Sequence, residues 1–409
     1  MIMRLLSDTL KEDTLNHRYN KYPTMSKILE DVRVLDLTQF YFGPFATMTL
    51  AHMGAEVIRI EPPWGGTDRL ADGATFGGSS YSFHHFNLNK RGLTLDLKTQ
   101  KGSSIFKELV KFSDVVAQNF RPGTMERLGL GYEVLRTLNP KIIYAALSGF
   151  GQTGPYSERP CFAMIAEAMS GHTRLTGDEV NPQGPPIEMA QAYGDLGPAL
   201  YAALSIVAAL RHRDRTGVGQ AIDVAQLDCM VSLVPALTGY NLSGLRLWEI
   251  RERYPLARGF GGLFRSKDGG WVRVASFSPR LIENLKEYLG IDEVSVKLLD
   301  DKVSSLTRDE AVSFFVEAGV PVAPIYSEPE VVEDAHLSDR DMWVELNHPS
   351  AGIVKVPNFP VRFSETPGKV SSAAPILGEH SVEVLHGLLG YSVEEIKKLE
   401  KEGVITTLK

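Results

Sequence analysis

One short segment of this 409-residue chain combines the residue types that covalent catalysis needs. Tyr193-Gly194-Asp195-Leu196-Gly197-Pro198 sets a carboxylate immediately before a long apolar run. Asp195 has two readings there. As an N-cap it accepts a main-chain N–H from the first turn of the helix that follows, and Pro198 in that turn fits the same picture. As a nucleophile it stays ionised beside free N–H groups and the positive end of the helix dipole, which also support charge developing on a reacting carbonyl. Gly194 and Gly197 then clear space for an incoming ligand. From this motif alone, capping is the plainer reading.

Two other stretches concentrate cations: Asn87–Lys98 (NLNKRGLTLDLK) and Asn119–Arg127 (NFRPGTMER). Lys90, Arg91, Lys98, Arg121 and Arg127 form either a solvated charged face or a wall for phosphate, Arg giving bidentate contacts and Lys a point charge. His84-His85 stand between Phe83 and Phe86, and neither His-x-x-x-His nor His-Glu-x-x-His spacing occurs, so they are assigned to packing and no metal site is expected. Two cysteines cannot make a disulfide framework. Cys229 lies in an apolar stretch and reads as a core thiol, and Cys161 falls in a loop. Such usage suits a reducing cytoplasm.

The elements that position these residues alternate. Val32–Leu37 is a buried strand, Phe45–His52 a helix and Glu56–Ile60 a second strand, which makes a βαβ unit and a parallel sheet with right-handed crossovers. Strands at Leu93–Leu97, Asp114–Gln118, Lys141–Leu147 and Gln220–Val224 and helices at Gly102–Ser113, Tyr132–Leu138 and Leu196–Arg213 continue the pattern. A dinucleotide-binding oxidoreductase is one candidate for such a sheet, with Glu61 where a ribose-binding acid would stand. The first turn, Thr38-Gln39-Phe40-Tyr41-Phe42-Gly43, argues against it, because bulky rings replace the glycines that let a pyrophosphate approach.

After residue 230 the texture changes to a hairpin at Phe264–Ala275 and mixed helices, as in a smaller α+β domain. The apolar run Leu196–Leu210, about 15 residues against the ~20 of a membrane span, reads as a buried core helix. The first 24 residues read as an extension before the domain. A net charge of −7, from 43 Lys+Arg and 50 Asp+Glu, argues against a nucleic-acid or anionic-membrane binder.

Along nearly its whole length the sequence resembles the class III CoA-transferases, the formyl-CoA transferase and crotonobetainyl-CoA:carnitine CoA-transferase family. The matching blocks run in family order: VRVLDLTQFYFGP (32–44), GAEVIRIEPP (54–63), LNKRGLTLDLK (88–98), QNFRPGTMERLGLGY (118–132), NPKIIYAALSGFGQTGP (139–155), GDLGP (194–198), ALRHRDRTGVGQAIDVAQLD (209–228) and APILGEH (374–380). The resemblance implies an α/β fold with a Rossmann-like large domain over 25–230 and 336–409, a small domain over 231–335, and an interlocked homodimer.

It also implies that Asp195 is the nucleophile, attacking an acyl-CoA to give an aspartyl anhydride and then an aspartyl-CoA thioester, from which a carboxylic acid takes the CoA. CoA is then a substrate, with no permanently bound cofactor and no metal, and the acceptor is a small organic acid, dicarboxylates included. CoA contacts carry over to Tyr41, Leu95, Lys98, Asn119, Phe120, Arg121 and Arg127, with Phe120 or Leu95 packing on the adenine or pantetheine.

Three departures matter. Phe162-Ala163 stands where many members have Tyr-Asp or Tyr-Glu, the first turn carries Tyr41 where formyl-CoA transferase has glutamine, and the glycine run is reduced to Gly259-Phe260-Gly261-Gly262. Oxalate or formyl specificity is therefore not expected. The racemases of the same family are the alternative enzyme class. They carry a Gly-His-Asp segment after the Gly-Pro loop, and Glu158–Ala163 (ERPCFA) has no histidine.

Overall fold

The computed structural model describes residues 27–254, 260–276 and 278–408. The 24-residue extension and Gly259 lie outside them. Six strands form one all-parallel sheet: β1 (Arg33–Asp36), β2 (Glu56–Glu61), β3 (Lys90–Thr94), β4 (Val115–Gln118), β5 (Ile143–Ser148) and β6 (Ala221–Ala225). Their order is β3-β2-β1-β4-β5-β6. Alternation splits the strand residues between two cores. Leu35, Ile58, Leu93 and Val116 face one side of the sheet, and Val34, Val57, Val115 and Ile143 face the other.

The first core is covered by α2 (Gln100–Val110) and by two C-terminal helices, α6 (Ser381–Leu389) and α7 (Val393–Lys401). The chain end also fastens the edge strand, since Asp96 N–H donates to Val404 O and Thr94 Oγ1 donates to Thr406 O. The second core is covered by α1 (Phe42–His52) and by α4 (Tyr193–Thr216). At 24 residues α4 is long and apolar enough to cross a membrane by length and composition. It is buried on one side only, through Ala199, Ala202, Ile206 and Ala209, while Leu200, Tyr201 and Leu204 are exposed. The helix expected to be a buried core helix packs on the core through one face and exposes the other, because apolar residues all round give no clue to which face the sheet takes.

These elements belong to a larger unit of residues 27–171, 189–233 and 341–408. A smaller unit takes residues 172–188 and 234–340, within which a three-stranded antiparallel sheet packs Phe264, Val272 and Val274 against Leu285, Leu299 and Phe315. Residues 172–188, expected in the large domain, belong to the smaller unit. Gly171 at its start and Asn181–Pro186 (NPQGPP) near its end are turn signals, but neither shows that the chain leaves the large unit.

The strand expected at Leu93–Leu97 instead starts on Lys90, pairing Val57 with Lys90 through Glu61 with Thr94. A buried salt link makes this possible. Lys90 Nζ lies 2.9 Å from Asp36 Oδ2 and also donates to Pro44 O and Asn87 Oδ1, with Lys90 and Asp36 side chains fully enclosed. Burial would raise the Asp36 carboxyl, yet Lys90, Arg59 and the Thr38 hydroxyl together hold it below its ordinary value. Lys90→Met strands that carboxylate in the interior. The expected loss is about 3–5 kcal/mol, read as a lower urea midpoint with the slope unchanged.

Candidate active site

Strand order reverses between β1 and β4, and the crevice beyond their carboxyl ends is where open α/β sheets receive ligands. Two loops frame it. Thr38–Tyr41 follows β1, and Asn119–Gly123 follows β4. Asn119 joins them: its Oδ1 accepts from Gln39 N–H and its Nδ2 donates to Gln39 O, both at 2.8 Å. Phe40 is held at a φ of 64°, a conformation that L side chains rarely adopt. Its ring meets Phe162 edge-on at 5.8 Å. Tyr41 packs on Phe86 and donates to Asp72, and burial first, with the Asp72 charge, pushes its phenol up to about 12.

The cationic stretch divides on folding. Lys98, just past β3, and Arg121 and Arg127, past β4, are exposed on the same edge of the sheet. Three strand spacings separate β3 from β4, roughly 14 Å. Lys90 is consumed by Asp36, and Arg91 pairs with Glu56 and Glu383, so neither belongs to an open wall. Leu95 is spent in the core and offers no side chain to an adenine or pantetheine. Phe120 is half-buried against that core, with its N–H on Gln118 Oε1.

Glu61 is likewise taken. It accepts from Arg69 and from Gly66 N–H inside the protein, which removes the acid a dinucleotide ribose would need. His84 bonds Phe76 O and packs edge-on against His348. Among the described residues no group of three His, Cys, Asp or Glu is placed to share a metal ion.

Asp195 is not the N-cap. Helix α4 begins at Tyr193 with Ala192 in the cap position, so Asp195 is its third residue. Its carboxylate accepts from the side chain of Gln226, the first residue of α5 (Gln226–Ser232), through Nε2. Pro198 lies inside α4 and has no N–H for Gly194 O four residues back. Gln226 Nε2 supplies that bond at 3.1 Å. Gly194 N–H donates to Glu167 Oε1 at 2.8 Å, from α3 (Ala163–Met169).

The two glycines also serve packing rather than ligand access. A Cβ on Gly194 would lie 2.3 Å from Ala163 O, and one on Gly197 3.1 Å from Leu233.

Asp195 keeps some solvent contact, whereas Glu167 and Gln226 are buried. Enough water is displaced around the carboxyl that burial, then the Glu167 charge, push it up to about 7 against the opposing Gln226 bond. Burial, then Asp195, likewise push Cys161 up to about 11, so it remains a thiol. Sequence reasoning missed Glu167 and Gln226. Glu167 was detectable: it stands four residues after Ala163, on the same helix face as the expected polar group. Gln226 left no local signal.

The large unit thus carries, together with a switch-point crevice flanked by exposed cations, a carboxyl whose proton affinity is raised to about 7. Residues 29–381 match the family model for CoA-transferase family III. The chain belongs to that family. It is 37% identical to the succinyl-CoA–L-malate CoA-transferase alpha subunit of Chloroflexus aurantiacus, covering 92% of both chains. It is 34% identical to the mouse succinyl-CoA:glutarate CoA-transferase over 93% of this chain and 90% of that one. A crystal structure of a CAIB/BAIF family protein from Brucella suis superposes with a TM-score of 0.78 at 30% identity, over 89% of this chain and all of the other. This family III CoA-transferase therefore shares the mixed α/β fold of that structure.

A carboxyl whose proton affinity is raised on folding opposes stability as pH rises between its unfolded value and about 7. Asp195→Asn keeps the shape and removes the charge. It is expected to stabilise the protein at pH 8 by more than about 1 kcal/mol, a tenfold change in proton affinity being worth about 1.4 kcal/mol. The gain shrinks as pH falls below 7 and vanishes near pH 4, as thermal melts across that range would record.

Proposed function

We propose that this enzyme moves CoA from an acyl-CoA donor to a small carboxylic acid, with Asp195 as the covalent nucleophile. The observation that carries the reading is the Asp195 carboxyl, poised near neutrality and fixed by the Gln226 amide. An ionised Asp195 attacks the thioester carbonyl carbon, the C–S bond breaks, and CoA leaves as thiolate. The thiolate then attacks the aspartyl Cγ of the anhydride and expels the donor acid as its carboxylate. The acceptor carboxylate repeats both steps in reverse, so no proton is consumed and the thioester energy is kept. Both intermediates hydrolyse in water, which favours a site closed to solvent.

Lys98, Arg121 and Arg127 would meet the phosphates of CoA, with Asn119 holding the first turn and Phe120 and Tyr41 beside the ligand. A dicarboxylate fits as acceptor, by extension from the malate and glutarate enzymes named above. The exposed apolar side of α4, with Met164 and Met169 of α3, supports self-association, here as an interlocked homodimer, and we place the enzyme in the cytoplasm.

The test is incubation with succinyl-CoA against a panel of free acids, with intact-protein mass spectrometry of quenched samples. Acyl and CoA adducts on the Asp195 peptide are expected, and Asp195→Ala should retain less than about a thousandth of the turnover. An unmodified Asp195 in an active enzyme overturns the mechanism. Separately, Arg121→Ala with Arg127→Ala should raise KM for the acyl-CoA about tenfold, near 1.4 kcal/mol, with little change in kcat. Steady-state kinetics at fixed ionic strength checks this.

A further inference from the structure

Gln226 is the one side chain bonded directly to the Asp195 carboxylate in the described structure, and its placement is over-determined. Its Nε2 meets two acceptors, Asp195 Oδ1 and Gly194 O, so the amide can face them only with its nitrogen. It is 4% exposed and therefore held in place. Pro198 guarantees the second contact, because the helix offers Gly194 O no donor of its own. On the other side of the same residue, Glu167 takes the Gly194 N–H. The main chain at Gly194 is thus gripped at both its N–H and its C=O by side chains from two other helices.

We propose that Gln226 is a catalytic residue of the transfer: it reserves Asp195 Oδ2 for attack and stabilises the oxyanion that forms on Oδ1. The inference rests on the covalent Asp195 reading above. With Oδ1 occupied by an N–H donor, Oδ2 forms the bond to the donor acyl carbon and becomes the bridging oxygen of the anhydride. When the CoA sulfur bonds to Cγ, the Cγ–Oδ1 π pair moves onto Oδ1, where the Gln226 N–H already points. Collapse restores the carbonyl, breaks Cγ–Oδ2 and expels the donor carboxylate carrying that oxygen.

The acceptor carboxylate then attacks the same Cγ, again placing charge on Oδ1, expels the thiolate and supplies the replacement oxygen. Gln226 therefore acts in the two steps at the aspartyl carbon. In the two steps at a substrate carbonyl carbon the charge falls on a substrate oxygen, which Gln226 does not touch. A donor aimed at a forming oxyanion commonly contributes 10²–10³ in rate.

Removing Gln226 alone also orphans Gly194 O, so the test separates structure from chemistry. Pro198→Ala restores a main-chain N–H for Gly194 O, and the comparison is between Pro198→Ala and Pro198→Ala combined with Gln226→Leu. Both proteins are melted, titrated with CoA, then mixed with succinyl-CoA in a single turnover at about pH 9, where Asp195 is ionised with or without the Gln226 bond, and quenched for intact-protein mass spectrometry. The expected result is an acyl adduct at the control rate and a CoA adduct formed about 100-fold more slowly, with CoA affinity unchanged. Equal rates for both adducts in the two proteins, or equal slowing of both adducts, overturns the assignment. If wild-type and control proteins transfer CoA without either adduct, the covalent reading itself fails and this inference falls with it.

Discussion

The buried Asp36 carboxylate is the constraint on which the candidate site depends. It ends β1 and is fully enclosed. Its Oδ1 accepts from the Thr38 N–H and hydroxyl, and its Oδ2 from Thr47 in α1 and Lys90 in β3. One carboxylate thereby fixes the turn leaving β1, the helix after it and the edge strand. Arg59 extends the network, pairing with Asp68 and donating to Thr38 O and Asn87. Arg69 joins Glu61 to Pro375 O in the C-terminal segment. Three carboxylates and three cations are buried here together, so the interior carries no net charge from them. Such a network costs heavily in desolvation, and its return is geometric definition more than stability. What it defines is the loop pair at the crevice, where Asn119 and the strained Phe40 have no freedom to adapt.

The Asp195 region shows the opposite electrostatic arrangement. Among the described residues no cation pairs with the carboxyl. A second carboxylate, Glu167, stands behind it, and one neutral amide moderates the result. A fold selecting only for stability would neutralise this position. Uncompensated charge of this kind is what the proposed nucleophile would need to react near neutral pH. The helix carrying Asp195 absorbs a proline in its second turn, and the acceptor this frees at Gly194 O takes the Gln226 amide, which also meets Asp195 Oδ1. The proline, the glycine and the glutamine form one device.

Much of the scaffold was legible in the sequence because buried parallel strands leave short runs rich in apolar β-formers. VRVLDL and EVIRI are such runs, and both are strands of the central sheet. The third strand was misplaced because a sequence gives no reason to start a buried strand on lysine. Only Asp36, 54 residues away, makes Lys90 an interior residue. The same limit explains the cationic stretches: Lys90, Arg91 and Lys98 look equivalent in NLNKRGLTLDLK, and the fold pairs the first two and exposes the third. Asp195 was found by its motif, but its capping role was inferred wrongly from the apolar run that follows. The helix starts two residues earlier, where Tyr193 and Gly194 carry no helical signal.

By itself the sequence determined the class of the protein: an alternating βαβ texture, a first turn too bulky for a dinucleotide, and blocks in the order of the CoA-transferases. These follow from local periodicity and side-chain volume, which any stretch of chain carries with it. The tertiary structure decided everything that depends on which distant groups meet. It removed Lys90, Arg91, Leu95 and Glu61 from the list of ligand-facing side chains, and it brought Glu167 and Gln226, 28 residues before and 31 after Asp195, to the same residue, Gly194. Hydrogen bonds and charges act over a few ångströms of space, whereas sequence separation says nothing about that distance until the sheet and its helices have closed around it.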